Sequence, residues 1–386
     1  MYRHTTLFGV AIAISLGFFV IAPVTSTSAG ETITIGVVGP ITGQNAADGL
    51  HIRQGVEMAV DEINQKGGIH GKKIELIIED DQMNPRDSAN IAQKFVTNKA
   101  VIGVIGPYDS SSTMAAGPVY NRGKLVHILG AATSPTVSTL GEYTYRVCPL
   151  DSLKGETMAA FSRDYLKVKR AAMIHEIDEA DKMFAAAFKE NFTKRGGEIV
   201  ALETYMGGDK DFTALLSKIK TANPEVVHTG SYYSEAALIM KQAHMLGMAN
   251  VKFFDGDACY NEELIKIGGK DVEGFFIAAM FHPDLPTPKG KAFVESFQKR
   301  YGKTPEAVSA LFYDATYTLT EAINKGGETR EKVMKYVQGI GTKTPALDLV
   351  TGPVKFNEAG DVVGKGFWVA VVKDGKFQLV NWKFTP

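Results

Sequence analysis

Cysteine is nearly absent. The 386 residues contain only Cys148 and Cys259, so no disulfide scaffold staples the chain and apolar cores must hold it together. Both are expected to be small, half-buried residues rather than a bridge. The eight histidines form no closely spaced group with cysteines or acids, so no metal and no other cofactor is expected. Charge of one sign is missing too, because 42 Lys+Arg face 43 Asp+Glu and no basic stripe carries interleaved aromatics. That excludes nucleic acid as an expected partner. Past the first thirty residues no apolar run is long enough to span a bilayer.

Enzyme signatures are missing as well. There is no G-x-S-x-G elbow, no G-x-x-x-x-G-K-[ST] loop, and no G-x-G-x-x-G after the first strand pattern. GVVGPITG (36–43) has other glycine spacing, and His175-Glu176 in HEIDE lacks the second histidine of a metalloprotease helix. Triads are assembled in space and leave no obligatory motif. A non-enzyme is therefore the expectation.

What is present begins with an unusual start. Arg3 and His4 precede an almost unbroken apolar run, Leu7 to Ala22, followed by small residues through Gly30. This is the pattern of a secretory signal, with cleavage expected near Ala29 and export to the periplasm. The chain as a whole has ordinary globular composition, 45% apolar and 22% charged, and enough length for two domains.

From Thr32 onward short β-branched runs alternate with helical patterns. ITIGVV (33–38), KIELIIED (73–80), VIGVIG (101–106) and LVHILG (125–130) are expected strands, separated by helices. The alternation restarts after Asp151, with strands at AAMIHE (171–176), EIVALETY (198–205), VVHTGSY (226–232), VKFFDGD (251–257) and GFFIAAM (274–280). Repeated strand–helix–strand order means parallel sheet with helices on both faces. Three helical patterns, 288–301, 306–325 and 328–340, lack strands of their own and are expected to pack on one of the two units. Turn-rich short strands close the chain. The predicted fold is α/β, two doubly wound Rossmann-like lobes with a cleft between them.

Two hydroxyl-rich turns stand out. GPYDSSST (106–113) follows one strand and precedes a helical pattern that resumes near Ser112. GAATSPT (130–136) follows the next strand. In doubly wound sheets ligands bind at this carboxyl edge, and a helix start with hydroxyls suits a small carboxylate. By itself Ser110 equally fits a helix N-cap.

The chain at this point resembles the periplasmic branched-chain amino-acid-binding proteins of ABC importers, the leucine/isoleucine/valine-binding type. The resemblance is carried by IGVVGPITG, VDEINQKGGIHGKKIELIIEDDQMNP, SSST, the AAT-P segment, GGDKDF and TGPVKFNEAGD, in that order, over nearly the whole mature chain. It implies a periplasmic-binding-protein type I fold with three crossovers. The expected division is 1–29 as signal, 30–150 plus 283–355 as one lobe, and 151–282 plus 356–386 as the other. It further implies that Ser110 and Thr133 hold a ligand carboxylate and that the Ala131 carbonyl helps take an α-ammonium. Tyr232 would supply an aromatic wall, and Asp257 an acid for the ammonium. The implied partners are a small-molecule ligand and membrane permease subunits, with the binding protein a monomer.

This sequence also departs from that pattern. Asp48 stands where the family has an early-loop tyrosine, Ala180 near a second-lobe aromatic, and Tyr108-Asp109 where an apolar residue and a cysteine precede the serines. The other cysteine of the family's first-lobe disulfide falls near Met83, so that bridge is absent. Asp257 is one methylene shorter than the family's glutamate. The expected function is delivery of a small amino-acid-like ligand to an ABC importer by hinge closure. Alternatives are an aromatic or other small carboxylate, an amide solute, or a sensory role without transport. Tyr108, Asp109 and Asp48 mark where ligand preference should reside.

Overall fold

The structure is a computed structural model that describes residues 1–2, 32–285 and 287–384. The body of the expected signal segment and its cleavage point lie outside the described residues. The chain separates into Met1–Glu31 and Thr32–Pro386, and the second unit carries all the architecture below.

Two sheets organise it. In the first, β1 (Ile33–Gly39) is buried at every position, as a strand covered on both faces must be. It pairs in parallel with β2 (Ile74–Asp80) and β3 (Val101–Ile105). β4 (His127–Leu129) and β5 (Thr144–Arg146) complete the order β2-β1-β3-β4-β5. Helices α1 (Ala46–Gln65), α2 (Pro85–Thr97) and α3 (Ser110–Arg122) make the crossovers. Asn84 caps α2 by accepting from Arg86 and Asp87 N–H, and Pro85 takes the first turn, where its missing N–H costs nothing.

After α4 (Asp151–Ala160) the plan repeats. β6 (Arg170–Glu176), β7 (Glu198–Tyr205), β8 (Val226–His228), β9 (Lys252–Asp255) and β10 (Phe276–Ala279) are parallel in the order β7-β6-β8-β9-β10. Their crossovers are α5 (Glu179–Lys194), α6 (Thr213–Thr221), α7 (Tyr233–Met245) and α8 (Glu262–Gly268). Each sheet thus has a switch point beside its first strand, β1/β3 and β6/β8, where the chain changes direction and opens a crevice.

The helices α9 (Pro288–Tyr301), α10 (Ala307–Gly326) and α11 (Arg330–Gly339) follow, and α10 returns to pack on α1, β3 and β4. A hairpin, β11 (Leu347–Leu349) and β12 (Gly352–Val354), lies beside α10. It is pinned by the buried Asp314 carboxylate, which accepts from Val350 N at 2.9 Å and Thr351 N at 2.8 Å. The final hairpin, β13 (Trp368–Lys373) and β14 (Lys376–Leu379), adds antiparallel strands to the second sheet through β10.

Three details depart from the sequence expectations. β5 was not anticipated as a strand; its three residues are too few to show a period. The two cysteines are free and fully buried rather than half-buried, and burial pushes the Cys148 thiol up to about 12. Asp361, in the segment expected in the second lobe, bridges to Arg146 of β5 in the first sheet, while Phe356 and Val362 pair with each other around the turn. The reason is Arg146. Its buried guanidinium donates to Asp361 Oδ1 at 2.7 Å, to the carbonyls of Ala132 at 2.9 Å and Ser134 at 2.7 Å, and to Ser138 Oγ. Asn357 in turn folds the NEAGD turn by accepting from Ala359 and Asp361 N–H.

Removing one member of a buried ion pair leaves the other charge uncompensated, at a cost of about 3–5 kcal/mol. Arg146→Met is expected to destabilise by that order in denaturant unfolding, and to loosen the turn carrying Thr133. Asp361→Asn, which keeps hydrogen-bond acceptors toward Arg146, should cost less. Equal stability of wild type and Arg146→Met would contradict this account.

Candidate ligand-binding site

Between the carboxyl edges of the two sheets lies a cavity lined by Tyr108, Asp109, Ser110, Ala131, Thr133, Lys154, Ala180, Asp181, Tyr232, Asp255 and the Gly256–Ala258 turn. Every wall residue except Lys154 follows the end of a parallel strand: β3 and β4 from one side, β6, β8 and β9 from the other. Tyr108, Asp109, Ser110, Ala131, Thr133, Tyr232 and Asp257, all named from sequence, are brought together here. Asp48 is not on the wall. It is buried in the first turn of α1 and accepts from Asn261 Nδ2 at 2.7 Å.

The first-sheet side is set by backbone geometry. Gly106 ends β3 at φ +100°, and a Cβ there would fall 2.2 Å from Val38 O, so only glycine allows the chain to turn down into the cleft. Asp109, not Ser110, is the N-cap of α3; its Oδ1 accepts from Ser112 N at 2.8 Å. The carboxylate one residue earlier has the better reach to the first-turn N–H groups. Ser110 is therefore the first helical residue. Its Oγ accepts from Ser134 N at 3.1 Å, which joins the two turns and leaves the hydroxyl hydrogen able to donate into the cavity. Thr133 is held by its own carbonyl, which accepts from Asp151 N at 2.9 Å, and by Arg146 on the neighbouring carbonyls.

The opposite side is acidic. Asp255 is fully engaged: Oδ2 accepts from Thr229 Oγ1 at 2.6 Å and from Ser231 N at 2.9 Å and Oγ at 2.7 Å, while His228 Nε2 stands 3.6 Å from Oδ1. Burial would raise its carboxyl, but His228 and the two hydroxyls hold it below the usual value. Tyr232 is buried at the start of α7, with its hydroxyl 3.4 Å from Asp178 Oδ2. Asp178 caps α5 through Asp181 N, and burial pushes its carboxyl up to about 6.

Lys154, which no sequence pattern singled out, sits among these acids. Its Nζ lies 2.7 Å from Asp151 Oδ1 and 2.5 Å from Asp257 Oδ1, over the rings of Phe184 and Phe367. Burial would lower its pKa, yet the two carboxylates overcome this and raise it. Asp257, expected to face a ligand ammonium, thus faces an internal one. Asp181 was missed too. Its only sequence signal is its place beside Ala180, one of the departures from the related pattern.

Contacts across the cleft mouth close it. Tyr233 OH donates to Gln44 O at 2.9 Å, Glu179 N to Ser111 Oγ at 3.2 Å, and Thr136 Oγ1 to Glu179 Oε1 at 2.9 Å; Gln44 Nε2 reaches Glu235. Among the described residues no group of three or more His, Cys, Asp or Glu could hold a metal ion. No helix of the described residues is long and apolar enough to cross a membrane.

Residues 32–376 match the family model described as periplasmic binding protein. A leucine-, isoleucine-, valine-, threonine- and alanine-binding protein of Pseudomonas aeruginosa is 32% identical over 88% of this chain and 90% of its own length. The chain belongs to the periplasmic binding protein family, in its branched-chain amino-acid-binding type. The Leu/Ile/Val-binding protein of Escherichia coli K12, 30% identical over 88% of this chain and 90% of its own, is a further relative. The fold is the type I periplasmic-binding-protein fold. A leucine-binding protein from Thermotoga maritima superposes with TM-score 0.84 at 30% identity, covering 90% of this chain and 98% of that one. A branched-chain amino-acid-binding protein from Streptococcus pneumoniae, in complex with isoleucine, also gives 0.84, at 28% identity over 91% and 99% of the two chains.

Two buried acids at and behind the cavity wall have protonation states that bear on stability. Burial pushes the carboxyls of Asp48 and Asp109 up to about 7, from 3.8 for a free group. The folded protein then holds protons that the unfolded chain releases, so stability present below pH 4 is lost as pH rises through about 7. Asp109→Asn keeps a cap acceptor and removes that charge. It is expected to flatten the fall in melting temperature of the ligand-free protein between pH 5 and pH 8, and to raise it at pH 8. An unchanged slope would show that Asp109 is not the group responsible.

Proposed function

We propose that the protein is an exported solute-binding protein of an ABC importer that takes a small amino-acid-like ligand in the cavity between its two sheets. The observation that carries this reading is the convergence, on one cavity, of two hydroxyl-bearing turns from the first sheet with acids from the second. Ser110 and Thr133, with the first-turn N–H groups of α3, suit a carboxylate. The Ala131 carbonyl and Asp257 suit an ammonium, and Tyr232 walls the space between. That is the charge pattern of a zwitterion.

The two sheets with their helices act as lobes in this proposal. One comprises β1–β5 with α1–α3 and α9–α11; the other comprises β6–β10 with α4–α8 and β13–β14. The ligand touches both walls only when the lobes are shut, so binding shifts the open–closed equilibrium toward closure by its differential affinity. The shut form, a monomer in the periplasm after signal removal near Ala29, docks on the membrane permease and turns over no substrate. The names of the relatives, which bind leucine, isoleucine and valine, support an amino-acid ligand. One observation favours a second reading, an amide or other small carboxylate: Asp257 is already paired with Lys154.

Calorimetric titration with amino acids, small carboxylates and amides tests the proposal. A hydrogen bond to a charged group contributes about 1.5–3 kcal/mol, or roughly ten- to a hundredfold in affinity. Ser110→Ala and Thr133→Val are each expected to lose about that much for the bound solute. Binding unaffected by either substitution would place the ligand elsewhere.

A further inference from the structure

The cavity wall carries more carboxyl groups than the protein itself offsets. Lys154 accounts for Asp151 and Asp257. The hydroxyls of Thr229 and Ser231, with His228, account for Asp255. Two wall acids remain. Asp109, 5% exposed, spends Oδ1 on the α3 cap, and its Oδ2 has no hydrogen-bond partner in the protein. Asp181, 8% exposed on α5, likewise has an Oδ2 without a partner. They stand on opposite walls of one cavity, and among the described residues neither has a salt bridge to a Lys or Arg side chain. A buried carboxyl oxygen without a donor is costly, and a pair of them facing one space calls for a donor that arrives from outside.

We infer that the solute presents, beyond its carboxylate-bearing head, a compact nitrogen group rich in N–H donors, ammonium or amide, which Asp109 and Asp181 receive. This rests on the proposed binding role and narrows it. A branched aliphatic side chain gives these oxygens nothing, whereas each N–H supplies a hydrogen bond that an isosteric methyl cannot. Discrimination built this way is steep, because the wrong ligand leaves buried acceptors unpaired. Ala180 fits the same picture. A small residue beside Asp181 leaves room at the acid where the related pattern has an aromatic ring. Burial, together with the carboxylates of Asp178, Asp255 and Glu176, raises the Asp181 carboxyl well above its usual value, as a site lacking its cation should.

The test uses three L-amino acids of nearly one size: 2-aminobutanoate with an apolar side chain, asparagine with an amide, and 2,4-diaminobutanoate with an ammonium. Each is titrated by calorimetry into wild type, Asp109→Asn, Asp181→Asn and Asp257→Asn. Wild type is expected to bind asparagine or 2,4-diaminobutanoate at least tenfold more tightly than 2-aminobutanoate, and which of the two wins assigns amide or ammonium. Asp181→Asn and Asp109→Asn should each reduce that preference at least tenfold. Neither should lower the melting temperature of the ligand-free protein at pH 8, since each removes a buried charge without a cationic partner and Asp109→Asn keeps the cap acceptor. Equal or tighter binding of 2-aminobutanoate by wild type overturns the inference and leaves the broader reading standing. So does a preference that survives both substitutions and disappears only in Asp257→Asn. If wild type binds none of the three, nor leucine, the amino-acid reading falls and takes the inference with it.

Discussion

A carboxylate buried between two sheets is costly unless something offsets its charge, and this constraint runs through the whole second unit. Arg146 meets Asp361, and in doing so draws the returning chain against β5 and fixes the carbonyls that flank Thr133. Lys154 meets Asp151 and Asp257, tying the start of α4 to the turn after β9. Asp314, under the β11–β12 hairpin, is offset by backbone N–H groups and the Thr351 hydroxyl. Asp255 is offset by hydroxyls. Each of these acids lies where one segment crosses or meets another, so the crossovers and the cleft share a single electrostatic logic.

Closure follows the same logic at smaller cost. The polar contacts across the mouth are hydrogen bonds among side chains and backbone groups. Such contacts contribute modestly and can exchange with water. The hydrogen bonds Tyr233–Gln44, Ser111–Glu179 and Thr136–Glu179 can each be replaced by bonds to water when the cleft opens.

Much of the fold was legible because burial leaves a pattern. β1 is apolar along its length since both faces are covered, and α2 announces itself through Asn84-Pro85. The three late helices were placed by periodicity within a residue or two. β5 escaped because three residues show no period. The excursion of 356–362 escaped because it depends on one guanidinium far away in sequence. On the cavity wall, Ser110 and Thr133 were expected from strand-end turns and family resemblance, and Asp257 from the resemblance alone. Lys154 and Asp181 were not, since a lysine or aspartate on a helix looks like surface until the opposite wall is known. The cap at Asp109 was misplaced by one residue, because serine and aspartate both cap and only the backbone conformation decides between them.

The sequence by itself determined the two doubly wound sheets, and with them the edge at which a ligand can sit, because strand period and turn chemistry are local properties. Only the tertiary structure decided which acids are already spoken for. Electrostatic pairing acts through space, between α4 and the turn after β9, or between β5 and the last crossover. It was that pairing which separated the acids that hold the protein together from the two on the cavity wall that each keep an oxygen without a partner.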